Sequence, residues 1–182
     1  MDFKYYTKYF AMLEERLKNM EKYIAFEEEN LDVFSIECAS IINDCCGLIN
    51  GFCFELCQEK NPSIGKFEIK DYKEYIYENF QKEEFVSFNN NFILQPWGKI
   101  ITNKLDKRSS NPLWWNDYNS IKHSGKPNFT KATLKNAISC MAGMFALLIM
   151  YEYKHLCYCI VSNWRGLFSS AGNCCRNVSW KC

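Results

Sequence analysis

The sequence predicts a mostly α-helical bundle of four to five helices that carries one small β-hairpin insertion. Two observations lead to this fold class. Apolar residues recur at three- and four-residue spacing over several long segments, which is the period of a helix buried on one face. One stretch, residues 85–98, instead has the pattern of two strands around an asparagine-rich turn. The 182 residues fit a single domain, placed at 1–163, followed by a cysteine-rich tail at 164–182.

The first third of the chain contains two long segments with helical periodicity. From Asp2 to about Phe26, charged residues separate an apolar series that lies on one helical face. Its members are Phe3, Tyr6, Phe10, Leu13, Leu17, Met20 and Ile24. A second helix is predicted over 31–57, where Gly47 and Gly51 lower the helix propensity and allow another helix to approach closely.

The middle of the chain changes character after a breaker at residues 61–65, which contain proline and glycine. A short helix is predicted over residues 69–80. The next apolar pieces, 85–88 and 92–94, are separated by three asparagines at 89–91, a composition typical of a β-hairpin turn. We expect this hairpin to project from the helical body.

Two further helices are predicted in the last third. Pro112 is suited to open a helix that runs to about His123, because proline is favoured in the first turn. Asn128 or Thr130 can cap the helix that follows. Its uncharged stretch, 136–151, is shorter than the roughly 20 apolar residues that span a bilayer, so it predicts a buried core helix and no membrane partner.

Charge is unevenly distributed along the chain. Residues 1–98 hold 10 basic against 18 acidic side chains, whereas residues 99–135 hold 8 against 2. A basic window of this kind suits an anionic partner such as RNA or a nucleotide, although many charge runs are only solvated faces. The first residues lack the basic and apolar regions of a secretory signal, so we expect a cytoplasmic protein.

The eleven cysteines are interpreted first as reduced, buried, small apolar residues, since cytosolic thiol pools disfavour disulfides. Cys46, Cys53 and Cys57 are spaced for one helical face. A zinc site is the alternative for the cluster near the end of the chain, although its spacing matches no paired CxxC pattern. That cluster comprises His155, Cys157, Cys159, Cys174, Cys175 and Cys182. We predict no metal and no cofactor.

One segment carries a resemblance to a known family. Residues 111–123, NPLWWNDYNSIKH, are followed by Phe129 and the long apolar helix at 136–151. This arrangement resembles the C-terminal half of bacterial proteins of the HEPN superfamily, in which a helix ending in a polar residue and a histidine precedes a long apolar helix. Ser35-Ile36-Glu37 and Asp44 are similar to the acidic helix of that group. The resemblance covers about 31–156.

The resemblance implies a HEPN-like helical fold and, for an active member, metal-independent RNA cleavage in a site formed across a homodimer. The family signature is an arginine followed, after four to six residues, by a histidine. On this chain His123 aligns with the histidine and Asn119 with the polar residue after the arginine, while Tyr118 occupies the arginine position. A phenol lacks the fixed charge that a guanidinium offers a phosphate. The family tyrosine two residues after the histidine is replaced by Gly125.

The candidate catalytic residues follow from this alignment. His123 can act as the acid or base, because imidazole exchanges protons near neutral pH. Asn119 precedes it by one helical turn and can orient the ring or bind a phosphate oxygen. Lys122 or Lys126 can hold the phosphate. Alternatively, His123 and Asn119 only cap the end of their helix.

Other side chains are candidates for binding. Tyr118, Lys126 and Trp115 form the predicted RNA- or nucleotide-binding set, in which the tryptophan stacks on a base unless it belongs to the core. Glu37 and Asp44, seven residues apart on one helical face, can partner Lys122 or His123, bind a metal, or form a structural ion pair.

Three functions remain open at this point. The first is an RNase or RNA-binding protein of a toxin, abortive-infection or stress system. The second is a non-catalytic HEPN module that binds a nucleotide or a protein such as a cognate antitoxin nucleotidyltransferase, which Tyr118 favours. The third is a helical scaffold whose aromatic content serves an oligomer interface.

Overall fold

The computed structural model describes residues 1–60, 62–63, 65, 72, 86–89, 92–97, 111–124, 126–155 and 166–170. Several predictions fall outside these residues: the helix at 69–80 apart from Tyr72, the zinc cluster beyond His155, and the basic residues of 99–110. Within the described part, four α-helices and three short strands confirm a mostly α fold with a small β insertion.

Helix α1, Phe3–Met20, begins where Asp2 accepts a hydrogen bond from the Tyr5 amide at 3.1 Å. Such caps satisfy amides that have no partner within the helix. The predicted apolar series forms its buried face from Tyr6 to Met20. The predicted end at Phe26 is wrong, because the amides of Tyr23 and Ile24 both turn back to the Met20 carbonyl. A short 3-10 helix, Glu28–Asn30, follows.

Helix α2, Ile36–Lys60, begins five residues later than predicted. The preceding residues pair with a distant part of the chain: Phe34 forms a β-bridge with Thr133, and the Ser35 amide donates to the Ala132 carbonyl at 3.2 Å. The Ser35 hydroxyl then accepts from the Cys38 amide at 3.0 Å and caps the helix. This tertiary pairing overrides the apolar periodicity that started at residue 31.

Helices α1 and α2 run antiparallel. The Tyr6 hydroxyl donates to Glu55 at 2.7 Å at one end of the pair, and Arg16 donates to Glu37 at 2.8 Å at the other. Because these contacts fix the two ends, the start of α2 and the start of α1 lie at opposite ends of the bundle.

Helix α3, Leu113–Ser124, and helix α4, Leu134–His155, confirm the two predicted helices of the last third. The Pro112 carbonyl accepts the first amide bonds of α3. The cap of α4 is Thr133, whose hydroxyl accepts from the Asn136 amide at 3.2 Å, and not Asn128 or Thr130. Those two residues lie in a 3-10 helix, Lys126–Lys131, that connects α3 to α4.

Helix α4 is the centre of the molecule. Every described side chain from residue 140 to 152 is buried, and α4 contacts α1, α2, α3 and two of the three strands. The stretch Leu134–Glu152 is long and apolar enough to cross a membrane, but 83% of its apolar window is buried inside the fold. It is therefore packed as the core helix that the sequence predicts.

The predicted hairpin is present as β1, Val86–Phe88, and β2, Phe92–Leu94. Asn89 has a φ of 49°, the left-handed turn conformation that asparagine tolerates. A third strand, β3, Phe168–Ser170, comes from the tail and pairs antiparallel with β1, so the order is β2-β1-β3. The sheet does not project from the bundle but packs against it.

Aromatic side chains join the sheet and the helices. Phe88 and Phe168 are fully buried with their ring centroids 5.0 Å apart, and Phe168 also lies 5.9 Å from Phe10 and 6.0 Å from Phe145. Rings at these separations add attraction beyond the area that they bury. The sheet is therefore part of the same core as α1 and α4.

A tryptophan pair fixes α3 against α4. The Trp97 indole donates to the Gly143 carbonyl at 3.0 Å, and the Trp114 indole donates to the Pro96 carbonyl at 3.1 Å. A Cβ at Gly143 would lie 3.0 Å from the Trp114 ring. Glycine at this position is what allows the indole to lie against the backbone of α4.

Candidate functional site

The predicted catalytic residues lie on the last two turns of α3. Lys122 and His123 are exposed and Asn119 is half-buried. The Lys122 ammonium lies over the ring of Tyr118, 5.5 Å from its centroid, which is within cation–π range. The turn therefore presents an imidazole, an ammonium and an amide to solvent from one short segment.

Two residues of the 3-10 helix that follows α3 bind near its end. The Asn128 amide donates to the Ser120 carbonyl at 3.2 Å, and Lys131 donates to the Ser120 hydroxyl at 3.0 Å. The 3-10 helix that follows α3 thus folds back on it and supplies the partners that its end needs.

Asp117 and Asn136 extend this contact into a network. Asp117 lies 3.3 Å from the Lys131 ammonium and accepts from the Asn136 amide at 3.0 Å, while that same amide donates to the Lys131 carbonyl at 2.9 Å. The three elements of the corner (α3, the connecting 3-10 helix and the start of α4) are thereby held in one arrangement. No local sequence signal marks the contacts of Asp117 with Lys131 and Asn136, because these partners lie on different elements.

Tyr118, in the arginine position, and Trp115 belong to the core. Their exposed fractions are 7% and 6%, and their ring centroids lie 5.3 Å apart. Trp114 is also buried, at 3%. The core alternative therefore holds for both tryptophans, and neither ring has a free face for stacking on a base. The side chain of Lys126 lies outside the described part of the structure.

Glu37 and Asp44 each form an ion pair with Arg16 of α1. A structural ion pair was one of the alternatives that the sequence left open. The three guanidinium nitrogens donate to Glu37 at 2.8 Å, to Asp44 at 2.7 Å and to the Ser40 hydroxyl at 2.8 Å. The hydrogen bond to Glu37 raises the pKa of Arg16 further, so its charge is permanent. These carboxylates partner Arg16, which the sequence analysis missed, and not Lys122 or His123.

The described cysteines are buried, five of them in α2 and one, Cys140, in α4. Cys46, Cys53 and Cys57 pack as the spacing predicts, and the thiols of Cys45 and Cys46 hydrogen-bond with Cys140. Burial raises the pKa of Cys45, Cys46 and Cys53, which keeps these thiols protonated and unreactive. Among the residues that the structure describes, no group of three or more potential ligands is placed to hold a metal ion.

No family model, curated protein or solved structure matches the chain. The resemblance to HEPN proteins therefore stays a prediction from the sequence of α2, α3 and α4.

Proposed function

We propose that this protein binds and cleaves RNA without a metal, as a HEPN-like homodimer of a bacterial toxin, abortive-infection or stress system in the cytoplasm. The single observation that supports the proposal most is the end of α3, where Lys122 and His123 are exposed one turn after the half-buried Asn119. Residues 111–136 hold four lysines against one aspartate, so a phosphate backbone would be attracted to this corner.

The proposed reaction is transfer of the phosphate to the neighbouring ribose oxygen. The 2′-hydroxyl loses its proton and its oxygen bonds to phosphorus, while the bond from phosphorus to the 5′-oxygen breaks and that oxygen gains a proton. The products are a 2′,3′-cyclic phosphate and a 5′-hydroxyl. His123 would move one of these protons, and Lys122 and Asn119 would bind the phosphate oxygens.

A second candidate is a non-catalytic module that binds a nucleotide or a protein, such as an antitoxin, through the same corner. The observation that favours it is the buried phenol of Tyr118 where the family has arginine. Arg16 cannot take the arginine's place, because its guanidinium is bound to Glu37 and Asp44. In this function Lys122 and His123 would contact the partner without chemistry.

The test is cleavage of total RNA and of labelled oligoribonucleotides in the presence of a chelator. We expect His123→Ala to lower the cleavage rate by about 10²- to 10⁴-fold, the usual contribution of a general acid or base. The matched control is His155→Ala, since His155 is the second of the two histidines in the chain. An equal loss of cleavage rate in both variants would reject the catalytic function. The absence of cleavage by the wild type would also reject it and leave binding to be measured.

A further inference from the structure

Lys131 lies beside the candidate catalytic residues, although it comes eight residues after His123 in the chain. Its ammonium donates to the Ser120 hydroxyl at 3.0 Å and lies 3.3 Å from the Asp117 carboxylate. Ser120 precedes His123 by three residues, and side chains at that spacing are neighbours on a helix surface. The connecting 3-10 helix therefore brings a cation to the face of α3 that carries His123.

Hydrogen bonds on several sides hold Lys131 in this position. The Asn128 amide donates to the Ser120 carbonyl at 3.2 Å, and the Lys131 carbonyl accepts from the Asn136 side chain at 2.9 Å. The Ser120 hydroxyl donates to the Asn116 carbonyl at 3.0 Å, so its oxygen acts towards Lys131 as an acceptor. Because the lysine side chain is anchored before a ligand arrives, binding through it costs less conformational entropy.

The Lys131 ammonium also keeps a donor for a ligand. An ammonium has three N–H donors, and within the part of the chain that the structure describes its contacts are with Ser120 and Asp117. The side chain is 41% exposed, so the third donor can reach a group from solvent. Lys122 offers a different geometry, because it lies about 100° around the helix from His123 and its ammonium covers an aromatic ring.

The chemistry of these groups selects the ligand more sharply than net charge does. Exposed carboxylates at 27–29 and 32 lie in or next to the segment that pairs with residues 132–135, and they offset part of the nearby positive charge. At short range, however, the Lys131 ammonium and the His123 ring can both donate hydrogen bonds to one group. A phosphate suits them, because it presents several strong acceptor oxygens around one atom.

We propose that Lys131 binds a phosphate group next to His123, with Ser120 as the positioning residue that holds the ammonium in place. This inference rests on the proposed function and deepens it, because it adds a phosphate-binding residue to the site. It also adds a competitor, since Asp117 and the phosphate would bind the same ammonium. The phosphodiester of RNA and the phosphate of a nucleotide share this chemistry, and the experiment distinguishes the two sources.

The experiment titrates the full chain with inorganic phosphate and with adenosine monophosphate, with chloride at equal ionic strength as the reference. Amide NMR shifts around Ser120 report the binding, and the anisotropy of a fluorescein-labelled oligouridylate reports RNA. We expect Lys131→Met to weaken the binding of each phosphate probe by about tenfold and Lys131→Arg to retain it. Lys4→Met is the matched control, since Lys4 is exposed on α1 at the opposite end of the bundle.

Asp117→Asn separates phosphate binding from a purely structural role of the ion pair. The change removes the charge that competes for Lys131, so we expect phosphate to bind about two- to fivefold more tightly, the range set by an exposed ion pair. The new amide oxygen can still accept from the Asn136 side chain, so the corner keeps that hydrogen bond. Weaker phosphate binding by Asp117→Asn would overturn the inference, because the pair would then only hold the fold.

The other outcomes separate this inference from the proposed function. If wild type binds oligouridylate and Lys131→Met binds it as tightly, the phosphate site is overturned and the RNA function stands. If wild type binds inorganic phosphate through Lys131 but no oligouridylate, the RNA function fails, and adenosine monophosphate binding would assign the site to a nucleotide. If none of the three probes binds, the inference is overturned. Circular dichroism of each variant verifies that it is folded.

Discussion

Helices α3 and α4 lie against each other but use their surfaces in opposite ways. Every described side chain of α4 from residue 140 to 152 is buried, because helices and strands cover it on all sides. α3 buries Trp114, Trp115, Tyr118 and Ile121 on one face and leaves Lys122 and His123 in water. A helix that is apolar all round supplies stability, whereas a helix with one free polar end can supply chemistry. α4 thus holds the fold, and the exposed end of α3 is the part that the proposed function would use.

The largest expected effect is in the core around α4. Phe145→Ala should lower the free energy of unfolding by about 3–5 kcal/mol, because it removes a fully packed ring that contacts Phe10 and Phe168 and leaves a cavity. Urea unfolding measures this change. Ile93→Ala, at a residue 71% exposed, is the control and should cost no more than about 0.5 kcal/mol. Similar losses in the two variants would contradict the central role of α4.

The buried thiols should make stability depend on alkaline pH. Since burial raises the pKa of Cys53, the folded chain keeps a proton that the unfolded chain loses above about pH 8.5. This contribution to stability is therefore complete below that pH and is lost as the pH rises, by roughly 1.4 kcal/mol per pH unit. We expect Cys53→Ala to reduce the slope of unfolding free energy between about pH 8 and pH 10. Parallel slopes for wild type and variant would show that Cys53 titrates equally in both states.

The corner beside α3 should tolerate change better than the core. Asn136→Ala removes the amide that bonds to Asp117 and to the Lys131 carbonyl, and should cost about 1 kcal/mol of unfolding free energy. Lys8→Ala, on the exposed side of α1, serves as the control and should change little. A cost as large as that of Phe145→Ala would mean that the corner is part of the folding core and not a separate surface.

The smallest effect is expected for the ion pair between α1 and α2. A double-mutant cycle of Arg16→Gln and Asp44→Asn should give a coupling free energy of about 0.2–1 kcal/mol, because Arg16 is 28% and Asp44 is 37% exposed and solvent screens the attraction. The coupling should decrease further in high salt. A coupling unaffected by salt would indicate that the pair is more sheltered than these exposures imply.

Local signals in the sequence predicted much of the fold. The apolar spacing of α1, the proline before α3, the uncharged run of α4 and the asparagines of the hairpin each describe a few consecutive residues, and each element is present. The start of α2 was missed because Phe34 and Ser35 pair with residues about a hundred positions later. Strand β3 was missed for a similar reason, since three residues become a strand only by pairing with β1.

The candidate site was predicted in the same uneven way. The placement of Asn119 and His123 on one face of α3, one turn apart, follows from their spacing alone. The burial of Tyr118 and Trp115 cannot be predicted from spacing, because it depends on which face of α3 meets the neighbouring elements. The partners of Glu37 and Asp117, Arg16 and Lys131, lie on other elements, and a single sequence does not report which elements touch.

The buried carboxylate of Glu14 binds backbone amides that are synthesised much later than Glu14 itself. It accepts hydrogen bonds from the amides of Leu167 and Phe168, and Leu167 lies 153 residues further along the chain. During synthesis at about 5–20 residues per second, Glu14 is made roughly eight to thirty seconds before those amides exist. The edge of β1 that pairs with β3 also stays uncovered until the same segment has been synthesised. The nascent helices must therefore persist in an incomplete state, in which chaperones and degrading proteases have their longest opportunity to act on this protein.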